Sequence, residues 1–547
     1  MILLTSIFLT QMGCSSGPSS NDLDASYSRI RYGLGIAERD TTRNIKDREA
    51  RSRKIMREHE EIDFFIDDDN MALIQEMRTS SDTLTAKKGD AYWRQAIFER
   101  SWTRSEKEKE EELLARIQAQ RQEEVTWASP DGEIEISLRN SWSRIAPQVA
   151  SLNSMIVEEL QSAWIEARTA WIGEDLASLV RLRNEVARRE GFATYWELAL
   201  AHRGLNPGQV EEFAKKLEDL VIPLNVSHAK ALDQIAKEKN LPNDWAHQGE
   251  LEQHLEILPS SAELDSAYDA DIAESRLREL FSDMGLNMEG VQVYPGPTRY
   301  TRPGAFSFAI SPPENIAIVI SKDRRWSSWH YGALAHELGL AAWWRSLPDE
   351  TQDSPVLWDP PTAFFEGIGQ FFERMATSSE FAGRIENFNP DLAAQLNHLY
   401  KKETIGTITH YLACTRTEKM LYDRPGDWLQ ISREAAALET QLNGRDWETP
   451  KNANGMPYVS ALQSGLMLHY PAYVQNYLYA TATEATLTEA ANKAMGNPVG
   501  NAQLGPWLRD NLIIPVSTEQ SIENQLAILS GHKNPTKALK SYLESHD

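Results

Sequence analysis

Helical spacing dominates this chain of 547 residues, and one region departs from it. Apolar residues recur at three- and four-residue steps, for example in LVRLRNEVARREGFATYWELALAHRGL (179–205), where Gly191 separates two helical stretches. NPGQVEEFAKKLEDLV (206–221) begins with a capping Asn and a proline at the first helical position. Between residues 291 and 322, Gly and Pro separate two short β-prone runs, FSFAI and IAIVIS. The sequence therefore predicts a mostly α-helical protein with one small β-sheet.

Charge and composition exclude several classes of function. Hydrophobic residues make up 41% and charged residues 25%, which is typical of a globular protein. The net charge of −24 argues against nucleic acid or an anionic membrane surface as a partner, because both would repel the chain. Two cysteines in a chain of this length exclude a disulfide framework. Charged runs in residues 25–125, such as RSEKEKEEELLARIQAQRQEE, indicate solvent-exposed helix faces and no ligand site.

The N-terminus has features of an export signal. The apolar run ILLTSIFLT (2–10) is too short to span a bilayer but suits the core of a secretory signal. A small residue, Cys14 and a Ser/Gly/Pro tether then resemble a bacterial lipoprotein signal, although no Lys or Arg precedes the run and Gln11 stands where that motif prefers Leu. We expect residues 1–24 to be signal and tether and residues 25–547 to form one large domain. The protein would be periplasmic or membrane-anchored in a bacterium, with a lipid on Cys14 as its membrane attachment. The alternative is a disordered terminus with a chance cysteine.

The segment AHELGL (335–340) resembles a metal-binding helix that lacks one residue. In H-E-x-x-H, two histidines four residues apart lie about 5–6 Å from each other and bind one zinc ion, and the Glu acts as a base. His336 and Glu337 are present, but Leu340 occupies the second histidine position. The pair His-Glu alone is weak evidence, since it also occurs in REHEEID (57–63). Gly339 lies within the helix at a cost of about 1 kcal/mol relative to Ala, which indicates a packing reason.

Other segments follow in a defined order. After the helix pair in 179–205 come GAFSFAI, NIAIVIS, AHELGL, FFEGIGQFFERMA and HYPAYVQNYLYA (469–480). In this order they resemble segments of the helical zinc peptidyl-dipeptidases and oligopeptidases, that is, the angiotensin-converting-enzyme family and its thimet-oligopeptidase-like relatives. The resemblance covers residues 140–500. It implies a large helical peptidase fold of two halves around a deep cleft, with the small sheet beside the metal helix.

The resemblance also implies roles for individual residues. His336 would be the first zinc ligand, Glu337 the general base and Glu366 the third ligand. His469, together with Tyr473 or Tyr477, would donate hydrogen bonds to the tetrahedral oxyanion of the transition state. The spacing leaves the choice between the two tyrosines open. The tyrosines of this segment would otherwise form a packed aromatic stripe.

Two departures from the family pattern fall on the metal site. Leu340 has no lone pair for zinc, and Gln370 stands where the angiotensin-converting-enzyme family has a supporting Asp. Losing such a supporting partner costs about 10–100-fold in metal affinity or activity, and losing a direct ligand should cost more. His330, six residues before His336, would point to a different side of a continuous helix. The sequence does not place the other histidines considered as substitutes, which are His398, His410 and His469.

Three functions remain open at this level. The leading hypothesis is a zinc-metallopeptidase-like protein with an impaired or inactive metal site, which binds short peptides in its cleft and has a binding or regulatory role. The first alternative is an active zinc-dependent peptidyl-dipeptidase or oligopeptidase with an unusual ligand set. Zinc would be the cofactor of an active protein, whereas an inactive one would need no cofactor. The second alternative is a helical interaction scaffold, which a structure without a cleft at His336 would favour.

Overall fold

The structure is a computed structural model that describes most of the chain. The described residues are 19–149, 152–255, 268–297, 301–302, 304–322, 327–384, 390–518, 522–531, 534 and 536–544. The apolar run and Cys14 of the predicted export signal lie outside them. Within the described residues, no helix is long and apolar enough to cross a bilayer.

Helices form the N-terminal region. They are α1 (Ser20–Arg43), α2 (Arg48–Ile66), α3 (Asp68–Arg78), α4 (Thr83–Glu99) and α5 (Arg104–Gln122). Each begins after a residue whose side chain accepts a hydrogen bond from a backbone N–H of the first turn, namely Ser19, Asp47, Asp67, Asp82 and Thr103. Helix α1 thus begins within the segment expected to be a tether, and Asp24 on it is buried and bonded to Lys88 and Tyr92 of α4.

The central region continues the helical pattern. A hairpin of β1 (Thr126–Ala128) and β2 (Glu135–Ser137) is followed by α6 (Trp142–Val149), α7 (Ser154–Thr169), α8 (Glu174–Arg189), α9 (Tyr195–His202), α10 (Pro207–Lys239), α11 (Gln248–Leu255) and α12 (Ala273–Asp283). The predicted break at Gly191 lies between α8 and α9, where the residue has a φ of 85° that favours glycine. The predicted start after Asn206 is confirmed, because the Asn206 side chain caps α10.

The predicted sheet has three strands, β3 (Val291–Pro297), β4 (Ala305–Ser311) and β5 (Asn315–Lys322). Their order is β3-β5-β4, with β5 parallel to β3 and antiparallel to β4. Residues 316–320 of the central strand β5 are fully buried, as expected for a continuous apolar run. Strand β4 therefore forms one edge of the described sheet.

The C-terminal half carries the segments singled out in the sequence. Its helices are α13 (Ser327–Arg345), α14 (Asp349–Gln352), α15 (Thr362–Thr377), α16 (Ser379–Ala382), α17 (Pro390–Asp423), α18 (Trp428–Leu442), α19 (Leu466–His469), α20 (Val474–Met495), α21 (Leu504–Leu508), α22 (Ile514–Thr518), α23 (Ile522–Ser530) and α24 (Lys537–Glu544), with a π-helical turn at Arg509–Ile513. AHELGL lies on α13 and FFEGIGQFFERMA on α15. The protein is therefore mostly α-helical, as the sequence predicts, and the β1–β2 hairpin is a second small sheet that was not predicted.

Glycines bring α13, α15 and α20 into close contact. A Cβ on Gly339 of α13 would lie 2.4 Å from Cδ2 of Phe372 on α15. A Cβ on Gly367 of α15 would lie 2.5 Å from the Cβ of Thr483 on α20. These distances are far below van der Waals contact, so the predicted packing reason for Gly339 is confirmed.

Two large apolar clusters form the core. One gathers buried side chains of α5, α8, α9, α10, α17 and α18. The other gathers those of α12, β5, α13, α15 and the C-terminal helices. Helix α20 belongs to both, since Leu478 packs in the first cluster and Leu487 in the second. Helix α20 therefore connects the two halves of the molecule, each of which is built around one of these clusters. A cleft between two halves requires such a connection.

We expect the substitution Gly339→Ala to lower the free energy of unfolding by about 1–2 kcal/mol, because overpacking against Phe372 outweighs the better helix propensity of Ala. Gly406→Ala is the matched control, since Gly406 is exposed on α17 and its Cβ would meet nothing within 4 Å. The control should raise the free energy of unfolding by about 0.5–1 kcal/mol. Denaturant unfolding of the three proteins measures both changes, and equal stabilisation by both alanines would contradict the packing.

Candidate functional site

A cavity of about 730 Å³ opens beside the AHELGL helix. Its walls come from α1, β4, α13, α15, α17 and α20, so both halves of the molecule contribute. The residues predicted from the sequence that line it are His336, Glu337, Leu340, Glu366, Gln370, Tyr473 and Tyr477. Segments far apart in the chain therefore meet at one site.

His336 lies between two carboxylates of α15. Its Nε2 is 3.3 Å from Oε2 of Glu366, and its Nδ1 is 3.1 Å from Oε2 of Glu373. Burial alone would lower the pKa of His336, but its bonds to Glu366 and Glu373 raise the pKa well above its usual range. Gly369 lies between these glutamates on the same helix, and a Cβ there would lie 2.3 Å from Nε2 of His336. The ring can occupy this position only because residue 369 is a glycine.

Glu373 is a site residue that the sequence reasoning missed. It lies seven residues after Glu366, two helical turns along the same face of α15, and this spacing was visible in the sequence. A carboxylate on the second ring nitrogen is the usual partner of a metal-binding histidine. In this structure Glu373, and not residue 370, is thus the residue that contacts the second ring nitrogen of His336.

Tyr473 contacts Glu366 directly. Its hydroxyl donates a hydrogen bond to Oε1 of Glu366, while Tyr477 stacks on Tyr411 with ring centroids 5.0 Å apart. The centroids of Tyr473 and Tyr477 are 5.7 Å apart, so the tyrosines form one aromatic wall of the cavity. Burial raises the pKa of Tyr473 well above its usual range, which keeps its hydroxyl proton available for donation.

Glu337 is buried in the cavity wall with 7% of its surface exposed. Burial raises its pKa to about 7, although the His336 charge and a hydrogen bond from Ser307 of β4 oppose this shift. A carboxyl with a pKa near neutral can both accept and donate a proton at physiological pH. This is the electrostatic environment that a general base requires.

Residue 340, where the family pattern would have a second histidine, contributes no donor atom. Leu340 lines the cavity and belongs to the apolar core cluster around α13 and α15. Neither His330, His398, His410 nor His469 lines the cavity. His330 is buried on α13, His410 lies 3.4 Å from Sγ of Cys414, and His469 is exposed at the end of α19.

The residues present do not fit a catalytic zinc site. Such sites have three protein ligands, and here His336 Nε2 and the Glu366 carboxylate are two donors that face each other. One oxygen of Glu366 also accepts the Tyr473 hydrogen bond. Across the described part of the chain, no group of three His, Cys, Asp or Glu side chains is arranged to hold a metal ion.

Buried polar contacts hold the loop that precedes Tyr473. The Arg183 guanidinium donates to the carbonyl of Leu468 at 2.7 Å, and Oε1 of Glu418 accepts from the N–H of Ala472 at 2.8 Å. Ala472 has a φ of 50°, a conformation that is uncommon for a residue other than glycine. Burial raises the pKa of Glu418 to about 7. Glu418 therefore positions the start of α20, although no motif in the sequence pointed to it.

Comparison with known proteins shows similarity at the level of the fold. No protein-family model matches the sequence. No curated protein matches it either. The structure is similar to PZ peptidase A with an inhibitor, with a TM-score of 0.63 and 14% identity over 96% of this chain and 91% of the other. It is also similar to a protein described as oligoendopeptidase F, with a TM-score of 0.64 and 14% identity over 96% and 92% of the two chains. The chain therefore has the fold of these peptidases.

The substitution Glu418→Gln should make the stability of the protein less sensitive to a rise in pH from 5 to 8. Because folding raises the pKa of Glu418 from 4.5 to about 7, its stabilising contribution is complete below pH 4.5 and is lost as the pH rises to about 7. Gln keeps an acceptor for the Ala472 N–H and cannot ionise. Relative to the wild type, the variant should therefore gain stability between pH 5 and pH 8, by an amount on the order of 3 kcal/mol at most.

Denaturant unfolding of both proteins at pH 5 and pH 8 measures this gain. Glu185→Gln, at an exposed position of α8, is the control and should show the wild-type pH dependence. A parallel pH dependence of Glu418→Gln and the wild type would contradict the assignment.

Proposed function

We propose that this protein is a degenerate member of the helical zinc peptidyl-dipeptidase and oligopeptidase group, which binds short peptides in its cavity and has little or no zinc-dependent hydrolysis. The observation that carries this proposal is Leu340, an apolar side chain at the position of the second zinc ligand, in a cavity that no substitute histidine lines among the described residues. Its role would then be to bind or present peptides or to regulate another protein.

The shape of the cavity supports peptide binding. Its volume of about 730 Å³ lies within the range typical of small-ligand sites, about 300–1,000 Å³. Residues 305–309 of the edge strand β4 line it. An edge strand can pair with an extended peptide through main-chain hydrogen bonds, which gives affinity independently of any metal.

One observation favours the alternative of an active zinc peptidase. Glu337, Glu366 and Tyr473 are all present around His336, and Glu373 contacts its second nitrogen. In this alternative zinc would be the cofactor, with ligands beyond those that the described side chains supply. A structure without a cavity at His336 would have favoured an interaction scaffold. The structure has a cavity there, so this observation does not favour the scaffold.

The substitution Leu340→His tests the metal site. The new imidazole would lie one helical turn from His336 and face the same cavity, so zinc affinity should rise by more than about 100-fold. Leu340→Asn, of similar size, is the control for added polarity and should bind zinc as weakly as the wild type. Zinc content after purification and zinc titration measure the difference. One tightly held zinc ion per wild-type chain would overturn the proposal that the metal site is degenerate.

Activity measurements on the same three proteins separate the two functions. The wild type should not cleave short peptides at high protein concentration with added zinc. Chelator-sensitive cleavage by the wild type would establish the active alternative. Leu340→His is expected to gain zinc first, and the double variant with Gln370→Asp tests whether a further carboxylate is needed for turnover.

Peptide binding should persist without metal. Fluorescently labelled short peptides titrated in the presence of EDTA should bind the wild type and should bind Thr407→Trp at least about 10-fold more weakly, because Thr407 lines the cavity on α17 and the larger side chain fills it. Gly406→Trp is the matched control, since Gly406 is exposed on the same helix outside the cavity. Equal binding by all three proteins would place the peptide site elsewhere.

A further inference from the structure

A second cavity of about 540 Å³ lies on the other side of the loop that leads into α15. Asp359 and Pro360 of this loop line both cavities and so separate them. The remaining walls come from α4, the connection between α9 and α10, α13, the segment that leads into α15 and its first residues, α20 and the C-terminal helices α22 and α23. None of the residues assigned above to the peptidase-like site lines it.

The walls of this cavity are largely apolar. Their larger apolar side chains are Leu205, Trp343, Val356, Leu357, Phe364 and Leu526. The hydroxyls of Thr486, Ser517 and Ser530 donate to carbonyl oxygens one turn earlier in their own helices, at 2.8, 3.2 and 2.8 Å. These hydroxyls are therefore satisfied within the protein and do not require a polar ligand.

Arg94 of α4 lines the same cavity, but its polar group, unlike these hydroxyls, is not satisfied by other described residues. Within the described part of the chain, its guanidinium forms no hydrogen bond and no ion pair within 4 Å. Asp90, one turn earlier, is the nearest acid on the same helix, but its carboxylate accepts a hydrogen bond from Arg78 at 3.0 Å. Burial lowers the pKa of Arg94, and the charge of Asp90 opposes this shift. A partly desolvated cation without its own carboxylate is stabilised by an incoming anion.

Lys87 adds positive charge to the same wall. It lies two turns before Arg94 on α4, and its ammonium donates to the carbonyl of Val516 on α22. The acidic residues of the cavity are already engaged, because Asp359 is paired with Arg31 at 3.1 Å and Asp90 with Arg78. The cavity thus combines largely apolar walls with two cations on the side formed by α4.

We propose that this cavity binds a single-chain fatty acid, with its carboxylate on Arg94 and its aliphatic chain along the apolar walls. A guanidinium offers two parallel N–H donors that match the two oxygens of a carboxylate. The volume is that of a site for one small amphiphile. Arg94, a cation without a carboxylate partner in a largely apolar cavity, suits a ligand with one anionic head and a long apolar tail.

Isothermal titration of the full chain with dodecanoate and with 1-dodecanol, both below the concentration at which they aggregate, tests this proposal. Dodecanoate should bind one molecule per chain, at least about 10-fold more tightly than the alcohol, because only the acid pairs with Arg94. Equal affinity for both compounds, or no saturable binding of dodecanoate, would overturn the proposal.

Two variants and a control locate the site. Arg94→Met should lower the affinity for dodecanoate at least about 10-fold and leave that for dodecanol unchanged, whereas Ala86→Trp should weaken both by filling the cavity. Arg100→Met is the matched control, because Arg100 directly follows the last residue of the same helix, lies outside the cavity and pairs with Glu190 at 2.7 Å. Unchanged dodecanoate binding by Arg94→Met, with circular dichroism confirming the fold of every variant, would contradict the assigned site.

Discussion

The close approach of α13 and α15 is the constraint on which the rest of the site depends. Two glycines permit it, Gly339 against the ring of Phe372 and Gly369 against the ring of His336. Helices that pack at this distance place His336 Nε2 only 3.3 Å from the Glu366 carboxylate. A methyl group at either position would separate the two helices or displace the ring, and the cavity wall would lose its shape.

The electrostatics of the site are consistent with a charged imidazole between acids. Glu366 and Glu373 contact the two ring nitrogens of His336, and Tyr473 donates to the other oxygen of Glu366. This network satisfies the buried polar atoms within the protein itself. Leu340, in contrast, extends the apolar core to the surface of the cavity. The polar network therefore does not include residue 340, where a second zinc ligand would lie.

The sequence predicted the helical fold because helical spacing and capping are local patterns, whereas the candidate site residues came from the resemblance to a peptidase family. Helical spacing, capping residues and the two β-prone runs identified the elements, and His336, Glu337, Glu366, Tyr473 and Tyr477 do line one cavity. His469 was assigned by order along the chain, and it is exposed at the end of α19 and does not line the cavity. Glu373 and Glu418 were not predicted, since their roles depend on partners 37 and 54 residues away in sequence, respectively.

By itself, the sequence determined that the chain is mostly helical and that a small sheet precedes the AHELGL helix. It also determined that this helix has no imidazole at residue 340. Only the tertiary structure decided that no other described histidine lines the cavity, which tyrosine contacts Glu366, and which carboxylate supports His336. Periodicity and capping are local and can be read from neighbouring residues. Contacts between helices depend on how glycines and aromatic rings let distant segments approach, and this is set by the packing of the whole core.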